Sequence, residues 1–245
     1  MGKRPTCCLK KRVKCEGYLK PSSYATSLTD LLKSSIFSFA ALISFSCNIF
    51  PQVSCISIEL AHQIKFDKFS YFDSEFLFEL QPKAKLTDVL SQAAISAHGL
   101  LINKKVRDLI SGLNIMQHRY YKCLVKDLKD VRHDYYWLHI SDYSVLNKIN
   151  YKESKFYLRE GGFREGNIEL DSFDDYKNKK GSLGILYTFH ADNIVIAKDF
   201  DSSLDLFSIP IFTNKIIVSE RLKDLTISEK ITGILVDQYQ QVSKK

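Results

Sequence analysis

The sequence predicts an α+β protein in which mainly antiparallel sheet is flanked by short helices. Short apolar runs typical of strands recur along the chain, and the helical patterns between them are brief. One strand-helix unit also occurs twice, so we expect two related strand-helix-strand halves. With 245 residues and 45% hydrophobic content, the chain can bury a sizeable core.

The positive charge of the chain is concentrated at its N-terminus. Residues 1–20 carry seven basic residues against one acidic residue, so they hold +6 of the formal net charge of +7. This stretch lacks apolar periodicity and is expected to be a flexible basic tail. The six cysteines are too sparse for a disulfide scaffold, which favours a reduced, cytoplasmic protein.

An uncharged stretch follows the tail, from residue 34 to residue 58. Its densely apolar part is shorter than the roughly 20 residues that a membrane-spanning helix needs. We therefore favour buried core or a non-native extension. Membrane association, or export, remains an alternative if residues 34–58 act as an anchor or signal. The predicted domains are a tail with its apolar segment, residues 1–56, and one α+β domain, residues 57–245.

The body of the chain is expected to begin with strands. Alternation of apolar residues predicts strands around Phe66 and Phe78. Thr87 and Asp88 suit the start of a helix that would run through Ala97. Later strands are predicted at residues 120–125 and 135–140, and residues 187–189 and 194–197 are expected to form a hairpin that turns at 191–193. Residues 141–183 are expected to form loops around short elements. The aromatic strand at 135–140 suits either core packing or a binding face, and core packing is favoured.

The duplicated unit aligns without a gap. LLINKKVRDLISGLNI, which begins at Leu100, matches IIVSERLKDLTISEKI, which begins at Ile216. Asn103 stands where Ser219 stands, and both residue types cap helices because their side chains accept a bond from a free backbone N–H. Each copy therefore predicts an apolar strand that leads into a capped helix.

The ordered series LLINKKVRDLI, YYWLHI, ESKF, DLF, IIVSERLKDL and ITGI resembles the bacterial immunity proteins of polymorphic-toxin systems. The resemblance is to the eleventh numbered immunity family and its relatives, and it covers roughly residues 71–237. It implies a non-enzymatic protein without a cofactor. Its partner would be a cognate toxin domain, from a competing bacterium or from self, whose active site or access to substrate it blocks.

Enzymatic alternatives were sought in the residues themselves. The histidines form no HExxH pair, and the glycines at 160–167 form no phosphate loop. Cys123 with His139 could act as thiolate and base, but both lie in predicted strands. Glu153 and Lys155, with Asp142 upstream, have the order of a metal-dependent nuclease. A nuclease or another nucleic-acid-acting protein is therefore the alternative function, although no specific nucleic-acid partner or metal is expected.

Acidic loop residues are the candidates for partner binding. Such carboxylates could meet the basic cleft of a nuclease toxin and speed association electrostatically, although a solvated loop also explains them. The six candidate residues are Asp171, Asp174, Asp175, Asp199, Asp201 and Asp205.

Overall fold

Short strands and short helices make up the part of the chain that this computed structural model describes, which is residues 41–44, 51–71, 74–237 and 242–244. The strands form three mainly antiparallel sheets, so the predicted α+β class is confirmed. The strands are β1 (Ala41–Ser44), β2 (Val53–Cys55), β3 (Phe76–Leu80), β4 (Val89–Leu90), β5 (Gly99–Asn103), β6 (His118–Lys126), β7 (Arg132–Ile140), β8 (Lys155–Glu160), β9 (Phe163–Ile168), β10 (Tyr187–Ile196), β11 (Leu206–Ser208), β12 (Ile216–Val218), β13 (Leu235–Asp237) and β14 (Val242–Lys244). The helices are α1 (Ile58–Ala61), α2 (Lys104–Ile110), α3 (Phe173–Ser182), α4 (Glu220–Ser228) and a 3₁₀ helix (Tyr143–Lys148).

The six-stranded sheet curls until its two ends meet. Its order is β2-β3-β6-β7-β5-β4, and only β3 and β6 are parallel among these pairs. Beyond β4, the carbonyl of Ser91 accepts the backbone N–H groups of Gln52 and Val53 at 3.0 and 3.2 Å. The sheet thus closes into a small barrel, because β2 lies beside the end of β4. Buried side chains that fill it include Phe76, Phe78, Leu101, Cys123, Val125, Tyr135 and Trp137.

The other two sheets pack against the outside of this barrel. Their orders are β11-β12-β1-β13 and β14-β10-β8-β9. Leu138 and Ile140 of β7 join Ile196, Phe207 and Ile217 in a second hydrophobic core. Alternation along β7 makes this possible, since successive side chains point to opposite faces of a strand. One strand therefore belongs to both cores.

The helix predicted to begin at Thr87 and Asp88 and run through Ala97 is wrong, because residues 89 and 90 form β4 instead. Both polar residues are used elsewhere. The Thr87 hydroxyl donates to the carbonyl of Val89 at 2.7 Å, and Asp88 accepts bonds from distant residues. Side chains that suit a local cap are here taken up by long-range contacts, which a local pattern does not reveal.

The two copies of the duplicated unit have the predicted local structure. In the first, β5 leads into α2, and the side chain of Asn103 accepts the N–H of Val106 at 3.1 Å. In the second, β12 leads into α4, and the Ser219 hydroxyl accepts the N–H of Leu222 at 3.1 Å. The two residues that align in the sequence therefore cap their helices in the same way.

Each cap residue is hydrogen-bonded to an aspartate that directly precedes a strand. Asp88 precedes β4, and Asp205 precedes β11. The backbone N–H of Asn103 donates to the carbonyl of Asp88, and that of Ser219 donates to the carbonyl of Asp205, both at 2.9 Å. The Asn103 side chain also donates to the Asp88 carboxylate at 2.8 Å. The Ser219 hydroxyl donates to the Asp205 carboxylate at 2.7 Å. The repeat thus extends to contacts that the sequence alignment does not include.

Each aspartate is also held by the other half of the chain. Asp88 accepts the backbone N–H of Thr232, which follows α4, at 2.8 Å. Asp205 accepts the backbone N–H of Asn114, which follows α2, at 3.0 Å. We call these two sets of bonds the reciprocal clasps. Because each clasp joins an aspartate of one half to a segment after the helix of the other, the two halves complete each other.

Two described strands lie on the N-terminal side of the predicted boundary at residue 57. Strand β1 lies between β12 and β13, and β2 pairs with β3. Parts of the possible anchor or signal at 34–58 lie outside the described residues, and residues 41–44 form a strand. Within the described part of the chain, no helix has the length and apolar character to span a membrane.

Candidate binding cleft

Among the described residues, strand β10 has a β-strand neighbour on only one side along its first half. Strand β8 pairs with it over residues 187–193. On the other side, among the described residues, β14 pairs with β10 only at residues 194–196. The hairpin predicted to turn at residues 191–193 is wrong, because β10 runs through them as one strand and only its register shifts, between Ala191 and Asn193. We call this side of residues 187–193, which no described strand pairs with, the open edge of β10.

A cleft of about 920 Å³ runs along this edge. Four consecutive residues of β10, 188–191, line it. Successive side chains of a strand point to opposite faces of its sheet. Four consecutive residues can therefore line the same cleft where that cleft runs along the edge of the strand. The facing walls come from Tyr176 and Lys180 of α3 and from residues 211–215, the segment before β12.

Aromatic rings form the base of the cleft. Tyr176 lies 4.8 Å from Phe189 and 5.7 Å from Phe212 between ring centroids, and both contacts are edge-to-face. Phe212 also packs 4.7 Å from Phe156 in the core. Burial raises the pKa of the Tyr176 phenol, so its hydroxyl stays neutral and can donate a hydrogen bond. Phe189 and Phe212 are almost fully buried, so the half-buried ring of Tyr176, held by these contacts, is the member of this cluster that a ligand could touch.

Positive charges surround this base. Arg159 of β8, Lys180 of α3 and Lys215 before β12 line the cleft, and none of the described lining residues is an Asp or Glu. The ammonium group of Lys180 donates to the carbonyl of Tyr187, at the start of the open edge, at 2.5 Å. Cations that face a cleft without a compensating carboxylate attract anions. The cleft therefore suits an acidic ligand.

One further lining residue, His190, adds no charge at neutral pH. Its ring stacks on Tyr157 with centroids 5.4 Å apart and planes 21° apart. Nε2 of His190 lies 3.0 Å from the hydroxyl of Thr188. Burial and the nearby Arg159 lower the pKa of His190 below its ordinary value, since both disfavour the imidazolium. The pair His190 and Tyr157 thus presents hydrogen-bonding groups on a fixed aromatic stack.

The wall at residues 211–215 begins with a strained turn. Ile211 has a φ of 75°, and the N–H of Phe212 donates to the carbonyl of Pro210 at 2.9 Å, so the three residues form a γ-turn. A positive φ is unfavourable for a β-branched residue, and such conformations cost about 1–3 kcal/mol. The buried Phe212 side chain holds the turn in place. Strain of this kind is concentrated at functional sites in proteins.

A smaller cavity of about 320 Å³ adjoins the cleft, and both are lined by His98, Asn214 and Lys215. Trp137 of β7 lines the smaller cavity. The smaller cavity therefore links the cleft to the wall of the barrel, at the strand that belongs to both cores.

None of the six acidic residues predicted to bind a partner lines the cleft. Asp174 and Asp175 lie in the first turn of α3 and pair with Lys177 and Lys179 at 2.7 and 2.8 Å. The N–H of Asp171 donates to the carboxylate of Asp175. These lysines neutralise much of the negative charge on which the prediction relied.

The remaining three acidic residues lie after β10. Asp199 pairs with Lys148, and Asp201 accepts bonds from the backbone and hydroxyl of Ser203 at 2.9 and 2.6 Å. Asp205 is only 4% exposed and belongs to a reciprocal clasp. Its burial assigns it a role in the fold, whereas partner binding by the others stays a prediction.

Cys123 and His139, the candidate thiolate and base, do not lie together. Cys123 lies opposite Tyr135, whereas His139 lies opposite Arg119, so the thiol and the imidazole are several positions apart along the strand pair. Burial raises the pKa of Cys123, which disfavours a thiolate. Asp142 caps the 3₁₀ helix. Within the described ranges, no group of three or more His, Cys, Asp or Glu side chains could hold a metal ion.

Comparisons with known proteins add no relative: no family model matches the chain, and a search of curated proteins finds no match.

Sequence reasoning did not identify the cleft because its cations are far apart in the chain. Arg159, Lys180 and Lys215 lie on a strand, a helix and a loop, and each is unremarkable among 35 Lys and Arg residues. Only the packing of α3 and residues 211–215 beside β10 brings them together. Among the described residues, β10 has strand neighbours on both sides only in its second half. This difference between its two halves leaves no pattern in the sequence.

Proposed function

We propose that this chain is a non-enzymatic immunity protein that binds a toxin domain and neutralises it in the cytoplasm. The resemblance of residues 71–237 to immunity proteins supports the class of partner. The observation that carries a binding role is the cleft along β10, with its apolar base, its three cations and its described lining free of carboxylates and thiols. An aromatic ring and three cations suit the binding of a ligand more than its chemical transformation.

Neutralisation requires only that the bound protein cover the active site of the toxin or its access to substrate. Tight complexes of this kind combine a buried apolar contact with charged groups around it, which speed the encounter and fix the orientation. The lining of the cleft offers both features, since it combines the ring of Tyr176 with Arg159, Lys180 and Lys215. An enzyme would need no stoichiometric partner, so the ratio at which protection occurs separates the two roles.

The proposal predicts that a neighbouring gene encodes a toxin domain, and co-expression with that domain tests it. We expect growth to be rescued, and the purified proteins to elute as one stoichiometric complex. Expression of an unrelated immunity protein at the same level is the matched control and should not rescue growth. A toxin that stays lethal, or a chain that protects at far less than one copy per toxin molecule, would contradict a binding role.

A further inference from the structure

We propose that the cleft is the contact site for the partner, and that it takes an extended acidic segment, which pairs with the open edge of β10 as an additional strand. The inference rests on the proposed function for the identity of the partner as a toxin. The position and chemistry of the site rest on the structure alone.

The edge of β10 already accepts a strand next to the proposed site. Strand β14 pairs parallel to β10 at residues 194–196, on the side where residues 187–193 have no strand partner among the described residues. An open edge offers backbone N–H and C=O groups that pair readily with an extended chain. At the far end, Lys180 binds the carbonyl of Tyr187, and the N–H of Tyr187 donates to Gly184 at 3.1 Å. The open edge is therefore bounded at both ends, which limits an added strand to a few residues.

The surroundings of the edge select the side chains of that strand. Successive residues of an added strand would point to opposite sides. One set would meet the half-buried ring of Tyr176, and the other would meet the exposed side chain of Arg159, which lies opposite Thr188 on the paired strand β8. An alternating pattern of apolar and acidic residues satisfies both sides. A basic segment would instead meet three like charges without a carboxylate in the described lining.

A single-stranded nucleic acid is the competing anionic ligand, and the structure favours it less. Binding without sequence preference depends on aromatic faces on which bases stack. Phe189 and Phe212 are only 3% and 2% exposed, and their rings pack against Tyr176 and the core. Rings buried to this extent offer no open face on which bases could stack.

A short fluorescein-labelled peptide in which Glu alternates with Val is the probe for the full-length protein. We expect it to bind about tenfold more tightly than a Glu-Pro peptide of equal charge, because proline cannot donate along a strand and is disfavoured in strand pairing. The basic N-terminal tail attracts both acidic peptides alike, so the difference between them reports the edge. A Lys-Val peptide should not bind.

Charge reversals at the cleft identify the site. We expect Arg159→Glu and Lys215→Glu each to weaken binding of the Glu-Val peptide by about tenfold. Lys85→Glu makes the same charge change in the exposed loop between β3 and β4, outside the cleft, and should leave binding unchanged. Thermal melts check that each variant is folded. Equal binding of the two acidic peptides, no binding, or no effect of the cleft variants would overturn the inference. Oligothymidylate binding that is lost in the same variants, without peptide binding, would assign the cleft to nucleic acid instead.

The same variants separate this inference from the proposed function. A toxin complex that forms equally well with the Arg159→Glu, Lys215→Glu double variant overturns the cleft as the contact site and leaves the immunity function standing. Glu-Val binding that depends on the cleft, without any toxin complex, keeps the site and removes the immunity function.

Discussion

At the scale of single residues, His139 is the least satisfied group in the barrel. It is fully buried beside Phe69 and Tyr121, and neither of its ring nitrogens has a hydrogen-bond partner in the described structure. Burial, and then the neighbouring His98, lower the pKa of His139 to about 4, because the imidazolium would have to lie in an apolar core.

This residue predicts a loss of stability in mild acid. The ordinary pKa of His is about 6.5, so above that pH His139 is neutral in the folded and unfolded chains. Between pH 6.5 and 4 the unfolded chain binds the proton first, and the free energy of unfolding should fall by up to about 1.4 kcal/mol per pH unit from this residue. Urea titrations of His139→Leu should show a correspondingly shallower pH dependence. Measurements at pH 7.5 give the packing effect alone, and an unchanged slope in acid would contradict the prediction.

The caps show what local sequence rules can and cannot predict at this scale. Asn103 and Ser219 are predictable because a cap bonds to the backbone only three residues away. Thr87 and Asp88 have equally suitable side chains, yet Asp88 bonds to Thr232, which lies 144 residues away. The same residue types therefore give a wrong helix prediction wherever a distant hydrogen-bond partner replaces the local one.

At the scale of elements, the two aspartates of the reciprocal clasps invite a matched comparison. Asp205 is 4% exposed and also lies 3.4 Å from Arg221, whereas Asp88 is half-buried. Removal of a buried hydrogen-bonded carboxylate leaves its donors unsatisfied.

We expect Asp205→Ala to lower the free energy of unfolding by about 3 kcal/mol and Asp88→Ala by about 2 kcal/mol. Chemical denaturation at neutral pH measures both. Asp224→Ala, on the exposed face of α4, serves as the surface control and should change the free energy of unfolding by about 0.5 kcal/mol or less. Equal losses for Asp224→Ala and Asp205→Ala would show that the clasp does not contribute to stability.

The strand and helix pattern was more predictable than the candidate site. Strands β6, β7 and β12 and helix α4 follow from apolar runs and cap residues, which act over a few positions. The closure of the barrel depends on Gln52 and Val53 meeting Ser91, and the cleft depends on α3 lying beside β10. Such contacts between distant segments leave no periodic signal in the sequence.

At the scale of the whole molecule, the apolar segment near the N-terminus supplies an inner strand. Strand β1 pairs with β12 on one side and with β13 on the other. An inner strand satisfies two rows of backbone groups, so its loss exposes the edges of both neighbours.

Deletion of residues 1–46 removes β1 and should yield a protein that aggregates or melts at a lower temperature, as judged by size-exclusion chromatography and circular dichroism. Deletion of residues 1–36 is the matched control, because it leaves every described strand in the chain, and it should elute as the full-length protein does. Identical behaviour of the two truncated proteins would show that β1 is dispensable.

The reciprocal clasps also bear on how the molecule loses its structure. Opening the half that contains α4 withdraws Thr232 from Asp88, and opening the half that contains α2 withdraws Asn114 from Asp205. Neither half can open without leaving a carboxylate of the other short of its donors. The halves are therefore coupled energetically, as the subunits of an obligate dimer are, and they should share one cooperative transition although a single polypeptide joins them.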